Sequence, residues 1–241
     1  CPQEGVVTRT WTATDTCGNQ SQCEQVISVV DTTAPMVTCP ADVTVSCEGS
    51  TATSVTGSAT GNDHCDLDVA ISVADAVAAG SCDQNSLITR TWTGTDDCDN
   101  ASSCEQLITV VDTTAPAISC PGDVTIECDA STGTGNTGDA SATDNCDAAP
   151  GVSYASAVSA GSCADESVIT RTWTATDTCG NSASCAQLIT VVDTTSPMIT
   201  SSPASISVQC TDDVPASDIS LVTATDNCGE ATITHEVDET D

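Results

Sequence analysis

The sequence predicts an all-β protein of tandem antiparallel β-sandwiches, disulfide-stapled and about 81 residues per repeat. Three observations carry this. β-branched residues alternate with polar ones in short runs divided by turn residues. Val-Val-Asp-Thr-Thr and Arg-Thr-Trp-Thr each recur at intervals of 81, which sets Asp31, Asp112 and Asp193 in one register and Trp11, Trp92 and Trp173 in another. The 17 cysteines keep the same register.

Within the repeat 31–111, Val43–Cys47 alternates apolar and polar residues and reads as a strand. Gly61-Asn62-Asp63 and Ala79-Gly80-Ser81 read as turns. Ile88–Thr95 places a threonine at every second position and reads as a long strand. Asp97-Cys98-Asp99-Asn100 is the next turn, and Leu107–Val111 a short apolar strand. No stretch has a helical period.

The cysteines fall into six equivalent sets. These are Cys1, Cys82 and Cys163; Cys17, Cys98 and Cys179; Cys23, Cys104 and Cys185; Cys39 and Cys120; Cys47, Cys128 and Cys210; and Cys65, Cys146 and Cys228. Ser202 stands where the third member of the Cys39 set belongs, after a one-residue insertion. Residues 31–111 and 112–192 are complete modules; residues 1–30 match the last part of a module and 193–241 the first part. Two readings are open. The segment is a cut from a longer covalent array, or separate chains meet head to tail and the two part-modules complete each other.

Composition excludes several classes. Three Arg and no Lys against 35 acids, a net charge of -32, cannot displace counterions from nucleic acid. An anionic membrane surface repels such a chain, and no window approaches 18 apolar residues, so no membrane insertion is expected. Cysteines this frequent, without close Cys-x-x-Cys pairs for zinc, point to an oxidising, extracellular setting.

Asp-Thr-Thr-Ala-Pro at 31–35, Cys-Pro-Ala-Asp-Val-Thr-Val at 39–45, Thr-Asp-Asn-Cys at 143–146 and Thr-Trp-Thr-Ala-Thr-Asp-Thr-Cys-Gly-Asn at 10–19 are similar to the hyalin repeat family and its relatives in secreted bacterial surface proteins. The likeness runs along the whole chain. It implies immunoglobulin-like sandwiches in tandem, with adhesive or scaffold roles, and a module from near Asp31 to near Val111. It also implies a pairing: Cys39–Cys104, Cys47–Cys98 and Cys65–Cys82, then Cys120–Cys185, Cys128–Cys179 and Cys146–Cys163. Between chains it gives Cys1–Cys228 and Cys17–Cys210, with Cys23 left over opposite Ser202. A local Cys98–Cys104 bridge is the alternative.

Acids recur at module ends: Asp31, Asp112 and Asp193 in the linker; Asp15, Asp96 and Asp177 in the Thr-Asp turn, each four residues before Asn19, Asn100 or Asn181; and Asp63, Asp144 and Asp226 before the Cys65-type position. Calcium takes six to eight such oxygen ligands, and the resemblance implies calcium between modules. The other reading is that these are ordinary Asx turns.

Arg9, Arg90 and Arg171 each precede a Trp by two, so each pair shares a strand face. The Trp is expected in the core and the Arg near its rim, paired with an acid; a sugar-stacking Trp is the alternative. The opposite face carries Thr8, Thr10 and Thr12, then Thr89, Thr91 and Thr93, then Thr170, Thr172 and Thr174. This is a solvated face or a set of O-glycan positions. Asn19 and Asn100 fit the N-glycan sequon. The two histidines, His64 and His235, do not recur in register, and no nucleophile motif is present. No enzyme is expected. The sequence reads as a structural protein of an extracellular filament or cell-surface stalk, its partners copies of itself. The alternative is an adhesin arm or a carbohydrate- or cell-binding repeat.

Overall fold

The computed structural model describes residues 4–236. The chain opens with a hairpin, β1 (Gly5–Thr14) and β2 (Gln20–Val29). The first complete repeat follows with β3 (Met36–Thr38), β4 (Val43–Ser46), the single turn α1 (Thr53–Thr56), β5 (Thr60–Asn62), β6 (Ala70–Ala79), β7 (Ser86–Thr95) and β8 (Ala101–Val111). The second has β9 (Ala117–Ser119), β10 (Val124–Glu127), α2 (Thr134–Thr137), β11 (Ser141–Thr143), β12 (Gly151–Ala160), β13 (Ser167–Thr176) and β14 (Ser182–Val192). Strands β15 (Met198–Ser201) and β16 (Thr223–Thr225) pair at the end.

The described chain forms two compact units: residues 4–114 with 145–148 and 178–181, and residues 115–144 with 149–177 and 182–236. In the first unit a four-stranded sheet, β4-β8-β7-β6, packs against the pair β3-β5. In the second, β10-β14-β13-β12 packs against β9-β11. All pairings are antiparallel except β4–β8 and β10–β14, which are parallel, with Val43 opposite Ile108 and Val124 opposite Ile189.

One turn expectation changes. Gly61 and Asn62 lie inside β5, where a Cβ on Gly61 would meet Val69 Cγ1 at 2.6 Å. The glycine marks a close approach, not a turn. The long edge strand β6, which precedes the Ala79-Gly80-Ser81 turn, has no alternation to announce it; all its residues but Ile71 are exposed.

The core is small. Ile88, Trp92 and Ile108 fill it in the first unit, and Ile169, Trp173, Ala175, Ile189 and Val191 in the second. On β7 the inward positions are Ile88, Arg90, Trp92 and Gly94, and the threonines Thr89, Thr91, Thr93 and Thr95 take the other face. Arg90 is therefore inside rather than at the rim. Its guanidinium donates to Asp75 Oδ1 and Oδ2 at 2.7 and 2.8 Å, to Thr56 Oγ1 at 2.8 Å and to the Thr51 carbonyl at 2.8 Å. These bonds satisfy a buried charge, which otherwise costs several kcal/mol, and they pin α1 to the sheet.

Gln106, opposite Arg90 on β8, completes the clamp by donating to the carbonyls of Ala41 and Thr56 at 2.9 and 2.7 Å. In the second unit Arg171 and Gln187 repeat this with Thr132, Thr137 and Gly122. There the expected acid is absent: Ser156 takes the place of Asp75, and Arg171 stacks over Tyr154 at 4.6 Å.

Hydrogen bonds from Arg90 hold the Asp75 carboxyl below its ordinary value, against partial burial, which raises it. A carboxylate depressed in the folded state contributes stability above about pH 4 and loses it as the pH falls through the folded value. Asp75→Ser is expected to cost about 1 kcal/mol near neutral pH. The difference should vanish in acid, as read by thermal midpoints of both proteins across that range. A pH-independent difference would refute the ion pair as its source.

Candidate functional site

The chemistry-bearing residues gather where strands end. In the turn between β7 and β8, Asp96 Oδ1 accepts from the backbone N–H of Cys98 and Asn100 at 2.9 and 2.8 Å, and Oδ2 accepts from Asn100 Nδ2 at 2.9 Å. Asp15 and Asn19 build the same turn between β1 and β2. Burial raises the Asp96 carboxyl, but the Asn100 side chain and the two backbone donors outweigh it, and the net shift is downward. The turn requires a positive φ at its fourth residue: Gly18 has 88°, Gly180 has 91°, and Asp99 adopts 64° in the same place. Asp tolerates that region better than most residues.

The turn is tied to the module start, because Asn100 Nδ2 also donates to the Asp31 carbonyl at 3.2 Å, and Asn181 Nδ2 likewise to Asp112 at 3.3 Å. Asp31 is 7% exposed. Its Oδ1 accepts from the Thr33 N–H at 3.0 Å, while Oδ2 is buried with no N–H or O–H donor among the described residues. Ligand atoms of Asp31, Asp63 and Cys65 lie within 4.8 Å of one another. The Cys65 thiol is pushed up, first by burial, then by the charges of Asp31 and Asp63, with a hydrogen bond to Asp31 and the charge of Asp96 adding to it.

The two carboxylates are hard oxygen donors of the kind calcium takes, and the orphaned Asp31 oxygen fits a cation there. The thiol sulfur does not match that preference. Asp112 Oδ1 accepts from Thr114 N–H at 3.1 Å, Asp193 from Thr195 at 3.1 Å and Asp226 from Cys228 at 3.0 Å. Asp177 is buried, and Asp144 is half-buried.

Five disulfides lie among the described residues, each within one unit. Cys39–Cys104 and Cys120–Cys185, named above, join the two sheets of a module. The other implied pairs are corrected. Cys47 bonds Cys146, Cys82 bonds Cys179 and Cys128 bonds Cys228. Cys98 is also disulfide-bonded.

The reason is strand length. Cys47 follows β4 and its N–H bonds the carbonyl of Val111 at 2.9 Å. Cys98 sits at the far end of the eleven-residue β8, about 35 Å away at the usual rise per residue. The same separation rules out Cys128–Cys179. Cys65 and Cys82 flank opposite ends of the ten-residue β6, and Cys146 and Cys163 those of β12, so neither pair can meet. The local Cys98–Cys104 bridge is excluded because Cys104 holds Cys39. Cys228 is taken by Cys128, which removes Cys1–Cys228; Cys1 itself lies outside the described residues. Cys17, Cys23, Cys65, Cys163 and Cys210 are free.

Trp92 and Trp173 are 4% exposed, which removes them as sugar-stacking residues in the complete modules. Trp11 is 55% exposed. The threonines of β1, Thr8, Thr10 and Thr12, are exposed, as are Thr170 and Thr172; Thr89, Thr91, Thr93 and Thr174 are half-buried. Both N–H groups of Asn100 Nδ2 are engaged by Asp96 and Asp31, so an N-glycan there conflicts with the turn. Sequence reasoning passed over Gln106 and Gln187, although Gln25, Gln106 and Gln187 recur in register on an otherwise apolar face.

No family model matches the chain, and no curated protein matches it in sequence. Solved structures do. Among them, the protocadherin gammaB7 EC3-6 cis-dimer structure is 18% identical over 81% of this chain, with TM-score 0.32; the chain spans 60% of that protein's length. Mouse protocadherin-24 EC1-3 is 14% identical, with 78% of this chain and 80% of that one covered and TM-score 0.32. Mouse clustered PcdhgC3 EC1-3 is 14% identical, with 79% and 77% covered and TM-score 0.30.

A non-reducing digest at acidic residues is expected to yield Cys47 linked to Cys146 and Cys82 linked to Cys179, identified by mass. Peptides joining Cys47 to Cys98 would restore the intramodular scheme.

Proposed function

We propose that this chain is a subunit of an extracellular structural filament or stalk, in which copies join head to tail and share a sandwich at each junction. One observation carries the reading. The motif that buries Trp92 and Trp173 to 4% leaves Trp11 at 55% on a bare hairpin. In the complete modules that hairpin is the middle of a sheet, with a β4-type strand on one edge and a β6-type strand on the other. Here no described strand pairs with either edge.

Residues 193–236 carry the reciprocal deficit. Pro35 and Pro116 are buried, but Pro197 is exposed. Segment 206–209, in register with β4 and β10 after the one-residue insertion, forms no strand, since it has no β8-type partner to pair with. An open, largely apolar groove is lined by Ile199, Pro203, Ile219, Val222 and Ile233, and in the complete second module the counterpart of β15, β9, packs against the hairpin strands β13 and β14. Docking the hairpin of a second copy there would bury a Trp and several Val side chains and remove unpaired edges, which otherwise favour indiscriminate association.

The fit at Asp31 and Asp63 supports calcium as a companion of this assembly. Asp31 and Asp63 would hold the ion, and it would neutralise part of the -32 charge where modules meet.

Electron microscopy of the secreted chain should show filaments, and Trp11→Ala should abolish them while leaving the complete modules folded by circular dichroism. Monomers with a buried, blue-emitting Trp11 would overturn the reading. Chelation should lower the thermal midpoint by several degrees, and Asp31→Asn should remove that sensitivity. A midpoint indifferent to chelator and to excess calcium would remove the ion.

A further inference from the structure

The free thiols are the two unmatched halves of one repeating pattern. Among the observed bridges, a Cys82-type residue bonds the Cys98-type residue of the following repeat, as in Cys82–Cys179. A Cys47-type residue bonds the Cys65-type residue of the following repeat, as in Cys47–Cys146 and again in Cys128–Cys228. Consecutive repeats are thus linked by two bridges of fixed polarity. Cys163 is of the Cys82 type and Cys210 of the Cys47 type; both are free and exposed, and both await a following repeat. Cys17 is of the Cys98 type, and Cys65 stands first in the set that includes Cys146 and Cys228; both are free and await a preceding repeat.

We infer that adjoining copies are covalently stapled by two intermolecular disulfides, Cys163 to Cys17 and Cys210 to Cys65. This rests on the head-to-tail reading above and differs from the Cys17–Cys210 pair that the family resemblance implies. The register closes at both points. The part-module 193–236 and the next copy's residues 4–30 make one composite repeat. Cys163, in the repeat before it, meets Cys17 inside it. Cys210, inside it, meets Cys65 in the repeat after it. No other assignment of these four thiols keeps the type and polarity of all three observed links.

Cys23 is the exception that the same rule predicts. Its set bonds within a module, to the Cys39 type, and the composite repeat offers Ser202 there. It stays a thiol.

Each bond forms by exchange with a small-molecule disulfide. The thiolate of Cys163 attacks one sulfur and releases the other half as a thiol. The thiolate of Cys17 then attacks the Cys163 sulfur of the mixed disulfide and releases the second thiol. Two protein thiols are oxidised and one external disulfide is reduced to two thiols. Cys210 and Cys65 follow the same course.

The test uses the full chain, assembled in a glutathione redox buffer. Denaturing gels without reductant should show a ladder in steps of one chain, collapsing to the 24.2 kDa band on reduction. Alkylation of assembled material should find one thiol per chain, at Cys23, and a digest should join Cys163 to Cys17 and Cys210 to Cys65. Cys163→Ser with Cys210→Ser should lose the ladder but keep the filaments in micrographs. Ser202→Cys should consume the last thiol by bonding Cys23 of the next copy. Filaments whose four thiols remain alkylatable, or a digest joining Cys17 to Cys210, would overturn the stapling while the filament reading stands. Absence of filaments under every redox condition would overturn both.

Discussion

A β-hairpin can hide a tryptophan on one face only if strands arrive on both its edges and a second layer closes over it. The rest of this molecule is arranged around that requirement. In each complete module β6 or β12 reaches one edge through a short turn, β4 or β10 reaches the other by a long crossover, and the short pair β3-β5 or β9-β11 covers only part of the sheet. The core behind it amounts to one Trp and a few Ile, Ala and Val side chains. Burying a Trp is worth about 4 kcal/mol at ordinary transfer values. A sandwich of this size depends on it heavily, because net stability is itself about 5 to 15 kcal/mol.

The thin core explains why polar groups are built into it. Arg90 and Gln106, facing each other across β7 and β8, direct donors to the one-turn helix, to the residues just before it and to the start of β4. They hold in place the segment that must cross from one sheet to the other. A hydrophobic pair of equal volume could fill the space, but it would remove the donors to the carbonyls of Thr51, Ala41 and Thr56 and leave that of Thr56 buried without one from Gln106. Arg171 makes the same bonds without the acid, so what the two modules share is the bonding to the crossover and not the ion pair.

The sandwich class and the inward Trp were legible because the strands have a period of two and their motifs recur every 81 residues. The edge strand β6 was not, because Ala-Ile-Ser-Val-Ala-Asp-Ala-Val-Ala-Ala is exposed on both faces and leaves no alternation. The parallel pairing of β4 with β8 was hidden for a different reason. Direction depends on how the chain crosses between layers, and no residue type records it. The acids of the Thr-Asp turn were legible as a turn, and Asp31 and Asp63 as ligand types, but their approach to Cys65 depends on where β3 and β5 end. Disulfide partners were the least legible feature. Cysteines in register say which residues are equivalent, yet a partner one repeat away is equally in register with a partner in the same repeat. Only the length of β8 separates the two.

That choice has an energetic logic. A bridge between the two sheets of a module, such as Cys39–Cys104, closes a loop of 65 residues, and one between consecutive repeats closes about 100. The entropic gain differs little between them, since it grows only with the logarithm of loop length. What differs is the load each opposes. A bridge within a module resists unfolding of that module. A bridge between repeats resists their separation, which a chain of net charge -32 with three cations promotes by its own repulsion. Cys47–Cys146 and Cys82–Cys179 hold the two complete repeats together against that repulsion.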